Sequence, residues 1–356
     1  MEKDRLAGFP KHAGRYPYGV VSSQGGFLRV FAALCVVFLI GEGRAQQLFP
    51  DLGGQRAGTS AAQFLKIGAG ARGIGMGESF VAVANDAEAL YWNPAGLTRF
   101  DKTTVIFAHN EWLIDTRMEF AGAVHHLGGG NTIGAAITYL HTEDMIETTE
   151  LQPFGTGRTF GFSDFLFGLS YARQMTTNFS FGVTAKFMQE TLADLTMRAA
   201  LFDLGTFYDT GWKSVRFAMT VTNFGTDMSP DGTVRYQTLD SDDVEITEFQ
   251  SFPPPTLFRI GVAGEVFENE VHSVTTTVQL NHPNDNAENL NFGGEYWWQQ
   301  RVALRAGYKT GQAEESYSLG FGVRFPISLA DFALDYAFSD FGRLGYVNRF
   351  AIQLQF

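Results

Sequence analysis

RFAIQLQF, residues 349–356, is the stretch that decides how this chain is read. Phe350, Ile352, Leu354 and Phe356 fall on one face of an extended strand, and Arg349, Ala351, Gln353 and Gln355 on the other. Successive side chains of a β-strand point to opposite sides, so a clean two-residue period means a strand with one apolar face. The period recurs upstream. Phe332, Leu334, Tyr336 and Phe338 oppose Asp331, Ala333, Asp335 and Ala337. Tyr317, Leu319, Phe321, Val323 and Phe325 oppose Ser316, Ser318, Gly320, Gly322 and Arg324. Phe179, Phe181, Val183, Ala185 and Phe187 oppose Ser180, Gly182, Thr184 and Lys186. Phe258, Ile260 and Val262 oppose Arg259, Gly261 and Ala263.

Extending this reading over 103–356 gives strands at 103–111, 118–127, 132–142, 161–174, 178–191, 200–208, 214–224, 256–267, 270–281, 289–299, 302–310, 316–325, 329–339 and 346–356. Fourteen strands is an even number. Their lengths are close to the 9–11 residues that a tilted strand needs to cross a bilayer. The connections alternate. Every second link is short: 128–131, 175–177, 209–213, 268–269, 300–301 and 326–328. The links between them are longer and polar, at 143–160, 192–199, 225–255, 282–288 and 340–345, with 112–117 and 311–315 of moderate length. Short turns at one rim and long loops at the other describe an outer-membrane barrel. The large aromatics of one face and the Gly, Ser, Thr and charges of the other then predict apolar-out and polar-in. Tyr296, Trp297 and Trp298 beside a short turn suit an interfacial aromatic belt.

The stretch before the strands, GTSAAQFLKIGAGARGIGMGESFVAVANDAEALYWNPAGL at 58–97, is different: compact, Gly- and Ala-rich and without strand period. Asn85 as N-cap with Glu88 three residues on predicts a capping box, with a helical turn or two over Ala87–Trp92. Pro94 stops that helix and Gly96 permits the reversal. The segment 58–102 is expected to plug a barrel formed by 103–356. Upstream, VFAALCVVFLI at 30–40 follows Arg29 and precedes Gly43-Arg44-Ala45. A basic flank, a short apolar core and a small-x-small site predict a secretory signal over 1–45, with 46–57 as a periplasmic leader.

Composition narrows the function. The chain has 356 residues, 40 Gly, 34 Phe and a net charge of −12. That balance excludes a nucleic-acid partner, whose phosphates need a basic surface. Cys35 is the only cysteine, so no intrachain disulfide can form. Gly68-Ala69-Gly70-Ala71-Arg72-Gly73 matches GxGxxG, but a dinucleotide site needs a long helix after it and a parallel sheet around it. The glycines, with Gly75 and Gly77, are read as close-packing positions against the barrel wall. None of the seven histidines, His12, His109, His125, His126, His141, His272 and His282, stands in a metal spacing, and no GxSxG elbow occurs. No catalytic, metal or cofactor residue is expected, and the chain is not read as an enzyme. Lys186, Arg259, Arg305, Arg324, Asp331 and Asp335 are expected to line the lumen as a salt-bridge net. The loop 225–255 holds Asp227, Asp231, Asp240, Asp242, Asp243, Glu245 and Glu248 against Arg235 alone, a solvated acidic loop. Phe252-Pro253-Pro254-Pro255 then gives a stiff lead-in to the next strand.

Arg72, Gly73, Gly75, Met76 and Gly77, then Asn85 and Asp86 after an FVAVA run, then Trp92-Asn93-Pro94-Ala95-Gly96 after Tyr91, closely resemble the N-terminal signature of the PorV/PorQ family. Those are outer-membrane barrels related to the FadL-type channels for hydrophobic compounds. The resemblance is dense over 58–97 and continues beyond only as the strand pattern and the terminal Phe356. It implies a plugged barrel in the outer membrane of a Gram-negative-type bacterium, in contact with lipid and folded by the barrel-assembly machinery. Named members of the family serve the type IX secretion system, which implies secretion-system proteins and secreted cargo as partners, bound through extracellular loops. The alternative is a FadL-like passive channel for hydrophobic solutes. Phe356 is expected to act as the barrel-assembly signal.

Overall fold

The computed structural model describes residues 58–237, 243–311, 314–327 and 330–356. The expected signal and leader, residues 1–57, lie outside them, as do Asp240 and Asp242 of the acidic loop.

The chain from Thr104 onward is a single antiparallel meander. It opens with β1 (Thr104–Glu111), β2 (Arg117–Gly128) and β3 (Asn131–His141). A small hairpin, β4 (Met145–Ile146) with β5 (Thr159–Phe160), interrupts it. Then follow β6 (Phe162–Gln174), β7 (Phe179–Leu192), β8 (Leu195–Asp209) and β9 (Arg216–Gly225). A second hairpin, β10 (Val234–Gln237) with β11 (Asp243–Ile246), stands in the loop after β9. The meander resumes through β12 (Leu257–Glu268), β13 (His272–Pro283), β14 (Asn289–Trp298) and β15 (Val302–Lys309). It ends with β16 (Tyr317–Ile327), β17 (Ala330–Asp340) and β18 (Tyr346–Gln355). Fourteen of these strands form one closed barrel. Closure is made by β1 on β18, with Thr104 opposite Gln355 and Ile106 opposite Gln353. The amide N–H of Phe356 donates to the Thr103 carbonyl at 2.8 Å beyond that ladder. A closed barrel leaves no strand edge unpaired, which is the condition for crossing hydrocarbon with strands.

The faces divide as the alternation requires. Phe107, Phe187, Leu204, Met219, Leu280, Leu304, Phe321 and Phe350 point outward and are exposed. Thr184, Asp203, Thr220, Gln279, Glu295, Arg305, Asp335 and Gln353 point inward and are buried. A water-soluble barrel would reverse this order.

Two expectations change. β8 begins at Leu195, so the loop read at 192–199 shrinks to the turn Ala193-Asp194, with Ala193 at φ 52°. Thr191 and Gln189 pair with Thr196 and Arg198, extending the β7–β8 hairpin, and Thr196 also exchanges backbone hydrogen bonds with Asp231. The polar residues there continue a ladder above the barrel. The aromatic run of β14 is also split by the pleat. Trp298 faces out, whereas Trp297 is buried inside and lies under the guanidinium of Arg324 at 4.1 Å. Consecutive residues cannot share one face, so three neighbours cannot all join a belt.

Phe321 sits mid-strand on the outer face, opposite Leu304 and Tyr336. Phe321→Arg is expected to lower stability by about 2–4 kcal/mol, the cost of a cation near the bilayer midplane. Urea unfolding in lipid vesicles measures it; an unchanged midpoint would mean that this belt does not face hydrocarbon.

Candidate functional site

Residues 58–98 supply short turns only: Gln63–Lys66, Arg72–Gly75, Ala89–Trp92 and Pro94–Thr98. A single helical turn is unstable in water by itself. These turns persist because their side chains are buried against the inward faces of the strands. Ile74, Met76, Phe80, Trp92 and Leu97 are wholly buried, in one cluster with Ile106, Phe120, Val124 and Phe207 of the wall.

Arg72 is the hub. Its Nε and Nη2 donate to the two carboxylate oxygens of Glu295, both at 2.7 Å. Its Nη1 donates to Asp86 Oδ2 at 2.7 Å and to Asn85 Oδ1 at 2.6 Å. Glu295 also accepts from Arg305 Nε at 2.7 Å, and Arg305 Nη1 donates to Asp335 at 2.6 Å. The result is a buried chain of five charges, Asp86–Arg72–Glu295–Arg305–Asp335, linking the inner segment to β14, β15 and β17. Two-pronged arginine–carboxylate pairing is strong and direction-specific. Breaking one partner from such a pair costs more than the pair contributes, because a charge is then left buried without its partner.

Glycines make this closeness possible. A Cβ on Gly307 would collide with the backbone of Gly77, and one on Gly293 would meet the Met76 carbonyl at 2.5 Å. Gly75 would meet Gly320 backbone at 3.0 Å. Gly75 and Gly77 therefore pack on the wall as read from the sequence. Gly68, Gly70 and Gly73 do not: their neighbours are Ile74, Glu88 and Trp92, within the segment itself.

The expected capping box at Asn85 does not form. Asn85 is drawn to Arg72, and the helical turn begins only at Ala89. Asp86 Oδ1 accepts from the Glu88 amide instead. Glu88 turns the other way. Its carboxylate accepts from the backbone N–H groups of Ala71, Arg72 and Gly73, at 2.8–2.9 Å. The GxGxxG stretch is thus an anion cradle after all, and the chain's own Glu88 occupies it. Gly96 differs from its reading too. Its φ is not positive; a Cβ there would strike the Ala84 carbonyl.

Other backbone groups of the segment are met by wall side chains. Gln279 Oε1 accepts from Phe80 and Val81, and Gln353 Oε1 from Ala87. Asn93 caps Ala95 and donates to the carbonyls of Val81 and Thr206. Pro94 lies against Gly182 and Gly205 of the wall. The two ends are tied as well. Ser60, Gln63 and Lys66 all donate to Asp285, in the loop between β13 and β14. Burial works to raise the Asp285 pKa, but those three donors outweigh it and hold the carboxyl below its usual range. Arg99 pairs with Asp209, and Lys102 with Asp331.

The expected lumenal net is therefore split into local pieces. Arg305 and Asp335 belong to the Arg72 chain. Lys186 pairs with Asp203 at 2.5 Å, and Arg259 lies over Trp92 at 5.6 Å. Asp331 serves Lys102. The sequence reading does not single out Glu88, Glu295, Gln279, Gln353 or Asp285 as site residues. A signal for Glu295 is present: it shares the inward parity of β14 with Asn291 and Trp297, and an inward carboxylate requires a partner. Phe356, expected as the barrel-assembly signal, follows the last strand with its side chain exposed.

A cavity of about 500 Å³ remains at the rim of the long loops, between Ala61–Ile67 and the wall at Trp112, Leu140, Phe162, Asp164 and Glu190. A much smaller void, about 20 Å³, lies beside Leu90 and Tyr91.

Comparison with known proteins fits this geometry. The family model described as Type IX secretion system protein PorV matches residues 53–207, a span that contains the whole signature. Among solved structures, the toluene transporter TbuX of Ralstonia pickettii is similar with a TM-score of 0.55 at 14% identity. The match covers 81% of this chain and 98% of that one. The toluene transporter TodX of Pseudomonas putida gives 0.55 at 13%, covering 81% and 97%. A FadL homologue of Pseudomonas aeruginosa gives 0.53 at 13%, covering 81% and 98%. At such identities the likeness is one of fold. No curated protein matches the chain.

Arg72→Met is expected to strand Glu295 and Asp86 and to weaken seating of the inner segment by about 3–5 kcal/mol. Hydrogen exchange at the amides of 71–73 reads this directly. Adding Glu295→Met should restore part of the protection, and unchanged exchange in the single variant would remove Arg72 from its place as hub.

Proposed function

We propose that this chain, whose residues 53–207 match the family model described as Type IX secretion system protein PorV, is an outer-membrane barrel of that family and a non-enzymatic component of protein secretion or cell-surface attachment. In this reading it is exported to the outer membrane and binds protein partners through the loops of one rim. The family match carries the reading. Two structural features support it. The lumen is crossed by a segment bound to the wall at many points, which suits a docking part better than an open pore. The two longest links, 142–161 and 226–256, carry their own hairpins. The second is braced by the paired backbone hydrogen bonds of Met228 with Phe252 and of Thr196 with Asp231. A stiffened loop loses less entropy when a partner orders it.

A second reading, passive passage of hydrophobic solutes, draws on the cavity of about 500 Å³ and on the structural likeness to two toluene transporters. In that reading the inner segment is a gate.

Replacing 232–248 by a short Gly-Ser linker keeps the Met228–Phe252 brace and the barrel. Loss of cargo from the cell surface, with normal heat-modifiable barrel in the membrane, is the expected outcome; full secretion would sink the first reading. Phe356 ends the last strand beside the closing pair, and in this proposal it also guides barrel assembly. Its deletion should lower the amount of barrel in the membrane several-fold by immunoblot, and wild-type levels would refute that role.

A further inference from the structure

The cavity at the long-loop rim holds a feature that neither reading uses. Phe64 and Ile67 of the inner segment and Trp112, Leu140 and Phe162 of the wall make it largely apolar. Asp164 also lines it. Asp164 is fully buried, and neither of its carboxylate oxygens has a hydrogen-bond partner among the described residues. Glu190 lines the same cavity and stands directly opposite Asp164 in the β6–β7 ladder. The pleat directs both toward the lumen: Asp164 has the parity of buried Leu166, and Glu190 that of buried Met188. Among the described residues no cation pairs with either one; Lys186, two turns of the pleat below, is taken by Asp203. Every other buried carboxylate described above has donors, Glu88 three, Glu295 two arginines, Asp285 three side chains. Like charges directly opposite in a sheet disfavour the pair, and a buried acceptor without a donor is costly to keep. Such a site is completed by a ligand that brings the missing positive donor together with apolar surface.

We propose that this cavity binds a small amphiphile with a protonated amine at one end, its ammonium between Asp164 and Glu190 and its hydrocarbon or aryl body against Phe64, Ile67 and Leu140. The volume fits: ligand pockets commonly run from about 300 to 1,000 Å³ and combine apolar walls with a few placed polar groups. An acid carrying its own negative charge is repelled by the same pair, and a neutral alcohol satisfies only part of it. The inference stands whether the chain serves secretion or solute passage, because it concerns head-group selection in this cavity.

Calorimetric titration of the full chain in amphipol, near neutral pH, tests it with three probes of one skeleton: 4-phenylbutylamine, 4-phenylbutan-1-ol and 4-phenylbutanoate. The amine is expected to bind at least about tenfold tighter than the other two, the scale of one additional charge-assisted hydrogen bond. In Asp164→Asn/Glu190→Gln, which removes the opposed charges and preserves shape, the amine and the alcohol should bind alike. Leu140→Trp should weaken all three by filling the space. Equal affinity of amine and alcohol in the native chain, tighter binding of the carboxylate, no binding of any probe, or an amine preference that survives in the double variant would each overturn the proposal. The comparison in the native chain decides the matter even if a variant does not fold.

Discussion

The two-pronged contact between Arg72 and Glu295 joins residues 223 positions apart in sequence, and much of the interior is arranged so that it can be made. Glu295 stands opposite Arg305 in the β14–β15 ladder, and Arg305 reaches on to Asp335. Five charges buried away from water would be ruinous singly. Joined end to end they satisfy one another and hold a segment that has no stable structure of its own. Gly293, Gly307 and Gly320 lie on the same part of the wall, where backbone must approach backbone. Arginine in the segment, acid in the wall and missing side chains between them form one solution to one packing problem.

The same constraint explains the glycine run. A turn of exposed N–H groups attracts anions, which is why such sequences bind phosphate in other folds. Here the long helix is missing, the turn is inside a barrel, and Glu88 lies sixteen residues on from Arg72 with its carboxylate in the cradle. A phosphate would have to displace a covalently tethered competitor. The motif keeps its chemistry and loses its ligand.

Function follows from what is filled and what is left. Around Arg72, Asn93 and Trp92 the interior is closely packed, with polar backbone met by Gln279, Gln353 and Asn93. Near Asp164 it is not. Among the described residues, the donorless Asp164 beside apolar walls contrasts with Glu88, Glu295 and Asp285, each of which has two or more donors. Barrel walls are rigid because every strand is paired on both sides, so binding differences are expected at the segment that the wall holds and at the loops it displays.

How much can be read from the chain depends on the range of the forces involved. All fourteen barrel strands are legible, because a pleated strand between lipid and a polar lumen must alternate, and alternation is a property of neighbours. The end of the Ala89–Trp92 turn before Pro94 is legible for a similar local reason. The capping box at Asn85 is not, since the local rule competes with a buried guanidinium that only the fold brings near. The polar stretch at 192–199 looks like a loop by composition, yet Thr196 to Ala199 pair with Met188 to Thr191 and extend the β7–β8 hairpin. The partners of Arg72, the carboxylate in the glycine cradle and the orphaned Asp164 are decided by tertiary structure alone: each depends on which strand lies across the lumen, and closure of the ring, not sequence spacing, sets that distance.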